Sequence, residues 1–302
     1  MKIIISGLGR MGAQIAQKLA ESEHQVIANN RSRGPIDVAL QHKAQAAYTK
    51  EEAVAMVGAD PFVLWLMITD SAVDEELDKW LELIPKGSII IDGGNSDFRL
   101  TKVRADKVKA AGSILLDVGT SGGVWGYKNG FSMMVGGETE AFRIIEPVLK
   151  TLAAPSGAYQ YFGPSGAGHY VKMVHNAIEY GMMQSLAEGY RMLKEGPYSE
   201  LDLAAAGEVW QHGSVVTSWL NELTRQALAE NPTLEGIDGV VAESGETRWT
   251  LEVAKEMSIP LPVIQVAFDV RKQSQTGETN FATKLLAAMR NKFGGHIINP
   301  NS

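Results

Sequence analysis

Within VKMVHNAIEY, residues 171–180, Lys172, His175, Asn176, Glu179 and Tyr180 stand at i, i+3, i+4, i+7 and i+8. On a helix that spacing gathers an amine, an imidazole, an amide, a carboxyl group and a phenol on one stripe. A lysine whose pKa is lowered by burial near other cations can take a proton, and a carboxyl group protonated at the right moment can return one. Lys172 and Glu179 would lie roughly 10 Å apart along the axis, at about 1.5 Å per residue. Long side chains reach one small substrate from both positions. The competing reading is a solvated face of loose i,i+3 and i,i+4 pairs. Val171, Val174, Ala177, Ile178 and Met182 make much of the remaining helix surface apolar, and this favours a site.

The elements that must position this stripe are legible upstream. Short apolar runs, KIIISG, HQVIANN, FVLWLMI, GSIIIDGGN and GSILLDVG, alternate with helical stretches, the first from Met11 to about Ser22. That rhythm implies βαβ units and a parallel sheet covered on both faces. FSMMVGG and YQYFG read as further short strands. From Ser165 the strand signals stop, and long helical patterns follow, broken at KEGPYSELD, ENPTLEG and SIPLPV. The expected fold class is α/β: a Rossmann-type doubly wound, dinucleotide-binding domain over 1–163, then an all-α domain over 164–302 for substrate binding and dimerisation.

Gly7, Gly9 and Gly12 stand in GxGxxG spacing directly after the first strand, where a helix begins. The spacing permits a tight turn, approach of backbone to a pyrophosphate, and close helix–strand packing, with the anion at the helix N-terminus. An acidic residue about 20 positions on would indicate NAD; here that place reads ANNRSR. Asn30 does not repel a phosphate, and Arg31, Ser32 and Arg33 bind one through charge-assisted hydrogen bonds. NADP is the expected cofactor, with NAD second and a plain basic loop as the alternative.

Ligands of open α/β sheets collect beyond the carboxyl ends of the strands. Two polar glycine loops fall there, DGGNS (92–96) and GTSGGVWG (119–126). Their paired glycines expose N–H groups, and Asn95 and Ser121 add donors and acceptors for a hydroxylated or carboxylated substrate. Gly163, Gly166 and Gly168, just before the polar stripe, let backbone pass close to a neighbour.

Composition narrows the classes. The chain has 302 residues, 45% hydrophobic and 21% charged, which suits a soluble protein of two domains. Its formal charge of −7 argues against nucleic-acid binding. With no cysteine there is no thiolate nucleophile or disulfide, and no histidine spacing suggests a metal. The longest apolar run, residues 62–68, is too short for a bilayer, and no cleavage signal precedes the glycine motif, so a cytoplasmic protein without a membrane partner is expected.

Taken in order, GLGRMG, NRS, IDGGNS, TSGGVWG, GHYVKMVHNAIEY and the C-terminal RNKFGGH closely resemble decarboxylating 6-phosphogluconate dehydrogenase in its short form, across essentially the whole chain. That family oxidises 6-phosphogluconate, a small phosphorylated sugar acid, to ribulose 5-phosphate and carbon dioxide with NADP or NAD. The resemblance implies Lys172 as general base and Glu179 as general acid, His175 and Asn176 orienting hydroxyls, and Tyr180 contacting phosphate. It implies substrate contacts from Asn95, Ser121, Gly122, Gly123 and Arg271, and from Arg290 and His296, a pair that in the long enzymes reaches in from the partner subunit. It implies cofactor contacts from Gly7, Leu8, Gly9, Arg10, Met11 and Gly12, from Asn30, Arg31 and Ser32, from Met67, Ile68 and Thr69, and from Asn95. A homodimer or homotetramer follows from the shortened helical domain. SGETRWT (244–250) departs from the Lys- and Gly-containing loop of the long enzymes. The rivals are a β-hydroxyacid dehydrogenase for another small acid and a non-catalytic dinucleotide sensor.

Overall fold

The computed structural model describes residues 1–198 and 200–295. In chain order the first part runs β1 (Lys2–Ser6), α1 (Arg10–Ala20), β2 (Gln25–Asn29), α2 (Arg33–Leu40), β3 (Gln45–Ala47), α3 (Lys50–Val57), β4 (Val63–Leu66), α4 (Asp70–Leu81), β5 (Ile89–Asp92), α5 (Phe98–Ala110), β6 (Ile114–Ser121), α6 (Gly126–Asn129), β7 (Ser132–Gly136), α7 (Thr139–Ala153) and β8 (Tyr159–Gly163). The remainder is helical: α8 (Ala167–Glu195), α9 (Leu203–Gln211), α10 (Trp219–Glu230), α11 (Glu246–Glu256), α12 (Pro262–Ser274) and α13 (Phe281–Gly294). The chain divides into two compact units inside α8, one spanning Met1–Met173 and the other beginning at Val174. The sequence pattern had put a domain boundary at the end of the last strand, 163/164; α8 runs on through the division.

The first unit holds one sheet in the order β3-β2-β1-β4-β5-β6-β7-β8. Side chains alternate across it. Ile3 and Ile5 face α1 and α7, with Ile15, Leu19, Ile145 and Leu149 in the same core. Ile4, between them, joins Leu77 and Trp80 of α4 and Val108 of α5 on the other face. Strands buried on both faces are mostly apolar, hence runs such as VLWL in β4 and the three isoleucines of β5.

The strands from β3 to β6 are parallel, but β7 runs antiparallel to β6. Only a short loop and the single turn of α6 join β6 to β7, too little chain for a parallel crossover. The pattern missed β3 and α3 and placed one helix there. β3 is a three-residue edge strand, Gln-Ala-Ala, with one buried position and no β-branched residue, so it has almost no signature of its own.

In the second unit, Met183, Ala187 and Tyr190 of α8 pack with Leu228 of α10 and Leu285, Leu286 and Met289 of α13. Among the described residues no helix is long and apolar enough to cross a membrane.

One guanidinium ties the first turns of α4 to the end of β5. Arg104, buried on α5, donates from Nη1 to Asp70 at 2.8 Å and from Nε and Nη2 to Asp74 at 2.9 and 2.8 Å. Its Nη1 also lies 3.9 Å from the fully buried Asp92. These carboxylates hold its pKa far above the ordinary arginine range, against the opposing cost of burial. Arg104→Met would leave Asp92 buried beside an apolar chain. The expected loss is about 3 kcal/mol of unfolding free energy in urea titration, below the top of the buried-pair range because Asp74 stays wet.

Candidate functional site

The glycine loop joins β1 to α1. Gly7 has φ of +99°, and a Cβ there would collide with the carbonyl of Met67, so only glycine fits the turn. Gly9, the N-cap of α1, contributes no side-chain cap and has open space where a Cβ would stand. The first N–H groups of α1 are thus free of a capping side chain, and backbone here can meet a pyrophosphate. These residues fit a dinucleotide. Leu8 is buried, Arg10 exposed and Met11 packed against the core.

Asn30, just beyond β2, shapes this loop directly. The Leu8 N–H donates to Asn30 Oδ1 at 2.9 Å, and Asn30 Nδ2 donates to Ser32 Oγ at 2.9 Å. Arg31 and Ser32 are exposed. Arg33, read from sequence as a third phosphate ligand, is already engaged: its guanidinium lies 4.6 Å from the ring centre of Tyr48 and 3.6 Å from Asp37. Met67, Ile68 and Thr69 follow β4, and the Met67 N–H donates to Ser6 O at 2.8 Å, holding this segment beside the glycine turn.

The paired glycines after β5 do not present free donors, contrary to the sequence reading. The Gly93 N–H is spent on Leu66 O at 2.9 Å and that of Gly94 on Asp92 Oδ1 at 3.3 Å. Asp92 also accepts from Ser96 Oγ at 2.7 Å, so the loop is drawn tight and leaves Asn95 exposed. Ser121, Gly122 and Gly123, after β6, are half-buried. Their loop is bolted to α1, where Gln14 Nε2 donates to Val124 O at 3.0 Å and the Tyr127 N–H donates to Gln14 Oε1 at 3.1 Å. Because β1, β2, β4, β5 and β6 are mutually parallel, all these residues share one sheet edge.

At that edge α8 begins. Asp117, fully buried on β6, accepts the Gly166 N–H at 2.8 Å on one oxygen and the His169 N–H at 2.9 Å on the other. The neighbours that the Gly163–Gly168 stretch approaches are β7 and β6 at Gly168, where a Cβ would collide with Met134 O and Asp117 O, and α5 at Gly166, beside Phe98 O. Lys172 is 5% exposed, and a Cβ on Gly119 of β6 would collide with its stem. Nothing local marks Asp117, Asp92 or Gln14 as parts of a site; the only cue is an aspartate inside each of two apolar runs, IIIDGG and LLDVG.

In the second unit, Asn176 and Tyr180 are buried, while His175 and Glu179 are half-buried. Asn176 Nδ2 donates to Glu246 Oε1 at 2.8 Å. The Tyr180 hydroxyl accepts the Ser244 N–H at 3.3 Å. Arg271 is 1% exposed and lies 3.3 Å from the ring centre of Tyr180, with Nη2 3.4 Å from Met183 Sδ. Burial above all, with Arg290, itself buried, acting in the same direction, brings its pKa down to about 10 against the opposing pull of Tyr180 and Glu179. Two cations and a phenol gathered this way suit a doubly charged anion. His296 lies outside the described residues.

Lys172, Asn176 and Tyr180 are buried together with Met173 and Ala177, whereas Ile178 and Met182 are 51% and 46% exposed. Among the described residues no cluster of potential metal ligands occurs.

Comparison with known proteins agrees over the whole chain. Residues 2–163 match the model of the NAD binding domain of 6-phosphogluconate dehydrogenase, and residues 168–292 match that family's C-terminal domain. An NAD(+)-dependent, decarboxylating 6-phosphogluconate dehydrogenase of Haloferax volcanii is 36% identical, covering 99% of this chain and 98% of its own. A decarboxylating 6-phosphogluconate dehydrogenase of Saccharomyces cerevisiae is 33% identical, but this chain spans only 60% of it. The structure of Plasmodium falciparum 6-phosphogluconate dehydrogenase, solved apo, with NADP+ and with 6-phosphogluconate, superposes with a TM-score of 0.81 at 29% identity, over 100% of this chain and 67% of that one. A 3-hydroxyisobutyrate dehydrogenase of Mycobacterium tuberculosis shares the fold at 20% identity, with a TM-score of 0.74 over 94% of this chain and 97% of that one.

Arg271 makes no ion pair with a carboxylate among the described residues, and its burial opposes folding. Arg271→Met is therefore expected to raise the unfolding free energy of the ligand-free protein by about 1 kcal/mol, read from the urea midpoint. A fall would mean that the cation holds the second unit together.

Proposed function

This chain belongs to the 6-phosphogluconate dehydrogenase family, and on that premise we propose that it catalyses the oxidative decarboxylation of 6-phosphogluconate to ribulose 5-phosphate and carbon dioxide, with NADP preferred over NAD. The observation that carries the reading is the burial of Lys172 on β6, at the sheet edge that also holds the glycine loop, with Glu179 two turns along the same helix.

A bound nicotinamide dinucleotide supplies the hydride acceptor. Lys172, as a neutral amine, takes the proton of the 3-hydroxyl as carbon 3 becomes a ketone. The resulting β-keto acid loses its carboxylate because the ketone accepts the electron pair, and protonated Lys172 steadies the developing oxyanion. Glu179 then protonates carbon 1 of the enediol. His175, Asn176, Asn95 and the Ser121–Gly123 loop orient hydroxyl and carboxyl groups. Tyr180, Arg271 and Arg290 receive the phosphate, with His296 assigned to the same end. The base of the Lys172 side chain fills the space left by Gly119, which fixes where that chain sets out from the helix.

The decisive experiment is a spectrophotometric assay of 6-phosphogluconate and 3-hydroxyisobutyrate with each cofactor, coupled to carbon dioxide detection. Turnover of 6-phosphogluconate with stoichiometric carbon dioxide is expected; turnover of the unphosphorylated acid alone would overturn the assignment. Lys172→Met should lower kcat by about 10³ while leaving the cofactor dissociation constant unchanged, and an active variant would remove the base from the mechanism. Arg31→Ala should weaken NADP about tenfold and NAD hardly at all; equal losses would show that Arg31 does not read the 2′-phosphate.

A further inference from the structure

The loop after β6 is soft by composition. Gly122 and Gly123 have φ of +129° and +53°, and Gly126 follows shortly after. Glycines leave a segment more conformations than any other residue does, and the loop's own backbone bond here, from the Trp125 N–H to Gly122 O, is 3.2 Å long. A loop of this kind needs its place set from outside.

One face of α1 does this. Gln14, Lys18 and Glu21 stand at i, i+4 and i+7. Glu21 accepts from the Tyr127 hydroxyl, and Lys18 Nζ donates to Tyr127 O at 2.9 Å and to Ala154 O. Both grip the far end of the segment, at α6. Of the three, Gln14 is the one that reaches Val124, next to Gly123: its Nε2 donates to Val124 O at 3.0 Å, and its Oε1 accepts the Tyr127 N–H at 3.1 Å. A backbone carbonyl only accepts and a backbone N–H only donates, so the two ends of the Gln14 amide are assigned by their partners and the clamp has a single orientation. On the reading above, the same helix meets the pyrophosphate at its N-terminus, about 6 Å up the axis from Gln14.

We propose that Gln14 is a positioning residue for the substrate: its amide, clamped on Val124 O and the Tyr127 N–H, sets the Ser121–Gly123 loop at a fixed offset from the helix that receives the dinucleotide. The consequence for substrate rests on the reading of Ser121–Gly123 as substrate contacts; the clamp itself does not. A side chain here must offer one donor and one acceptor together. A carboxylate of equal size keeps the acceptor for Tyr127 but turns a second acceptor on Val124 O, and methionine supplies neither.

The test compares full-length unmutated protein with Gln14→Met and Gln14→Glu. In the ligand-free proteins at neutral pH, amide hydrogen exchange of residues 121–127, read by mass spectrometry of their peptides, should be about tenfold faster in both variants. The KM for 6-phosphogluconate should rise about tenfold in both, at an unchanged dissociation constant for the dinucleotide measured without substrate. Exchange as slow as in the unmutated protein overturns the clamp. Faster exchange with an unchanged substrate KM overturns the positioning role, as does a loss of dinucleotide affinity equal to that of substrate, which would mean that α1 as a whole has shifted. The exchange measurement needs no turnover, so failure of the unmutated protein to oxidise 6-phosphogluconate would count against the functional reading and leave the clamp to be decided by exchange.

Discussion

The buried carboxylate of Asp117 is the fixed point of the helix that bears Lys172. Both its oxygens accept backbone N–H groups at the start of α8, from Gly166 and His169. Those donors would otherwise be orphans of a helix beginning, and the aspartate, with no exposure of its own, would otherwise be an uncompensated buried charge. Each side resolves the other's cost, and the result is geometric. The first turn of α8 is pinned to β6, which brings Lys172 down onto Gly119. A helix free to slide by one residue would rotate its side chains by about 100° and carry the amine away from the sheet edge.

Polar groups in the second unit follow a different logic. Arg271 is buried on the ring of Tyr180, with its pKa depressed by burial and by Arg290. On the proposed reading such a centre receives an anion, and without one the burial of its charge opposes folding. Stability comes instead from the apolar contacts of α8, α10 and α13 further along the unit.

How much of this was legible depends on sequence distance. The glycine turn, the strand rhythm and the Lys172–Tyr180 stripe are local patterns, and each appears in the structure as an element of the expected type. What escaped is long-range or weakly patterned. The partners of Asp117 lie 49 and 52 residues away and those of Asn176 and Glu246 70 apart, separations no periodicity encodes. β3 escaped because three residues at an edge carry no alternation. The glycine pair of the DGGNS loop was found, but its role was misread: its N–H groups close the loop on Leu66 and Asp92 instead of facing a ligand. The exposed Ile178 and Met182 escaped because an apolar residue type does not reveal which face is covered.

A single helix also fixes the spacing of the two groups to which the proposed acid–base chemistry is assigned. Lys172 and Glu179 ride on α8, an unbroken helix from Ala167 to Glu195, so their separation along the axis, about 10 Å for seven residues, is maintained by hydrogen bonds inside one element. Had the two groups come from different loops, every loop motion would change that distance, and an error of about 1 Å costs roughly a hundredfold in rate. With the spacing built into the helix, only the helix as a whole needs placing. Asp117 does this for the start of the helix within the first unit; within the second, Asn176 pairs with Glu246.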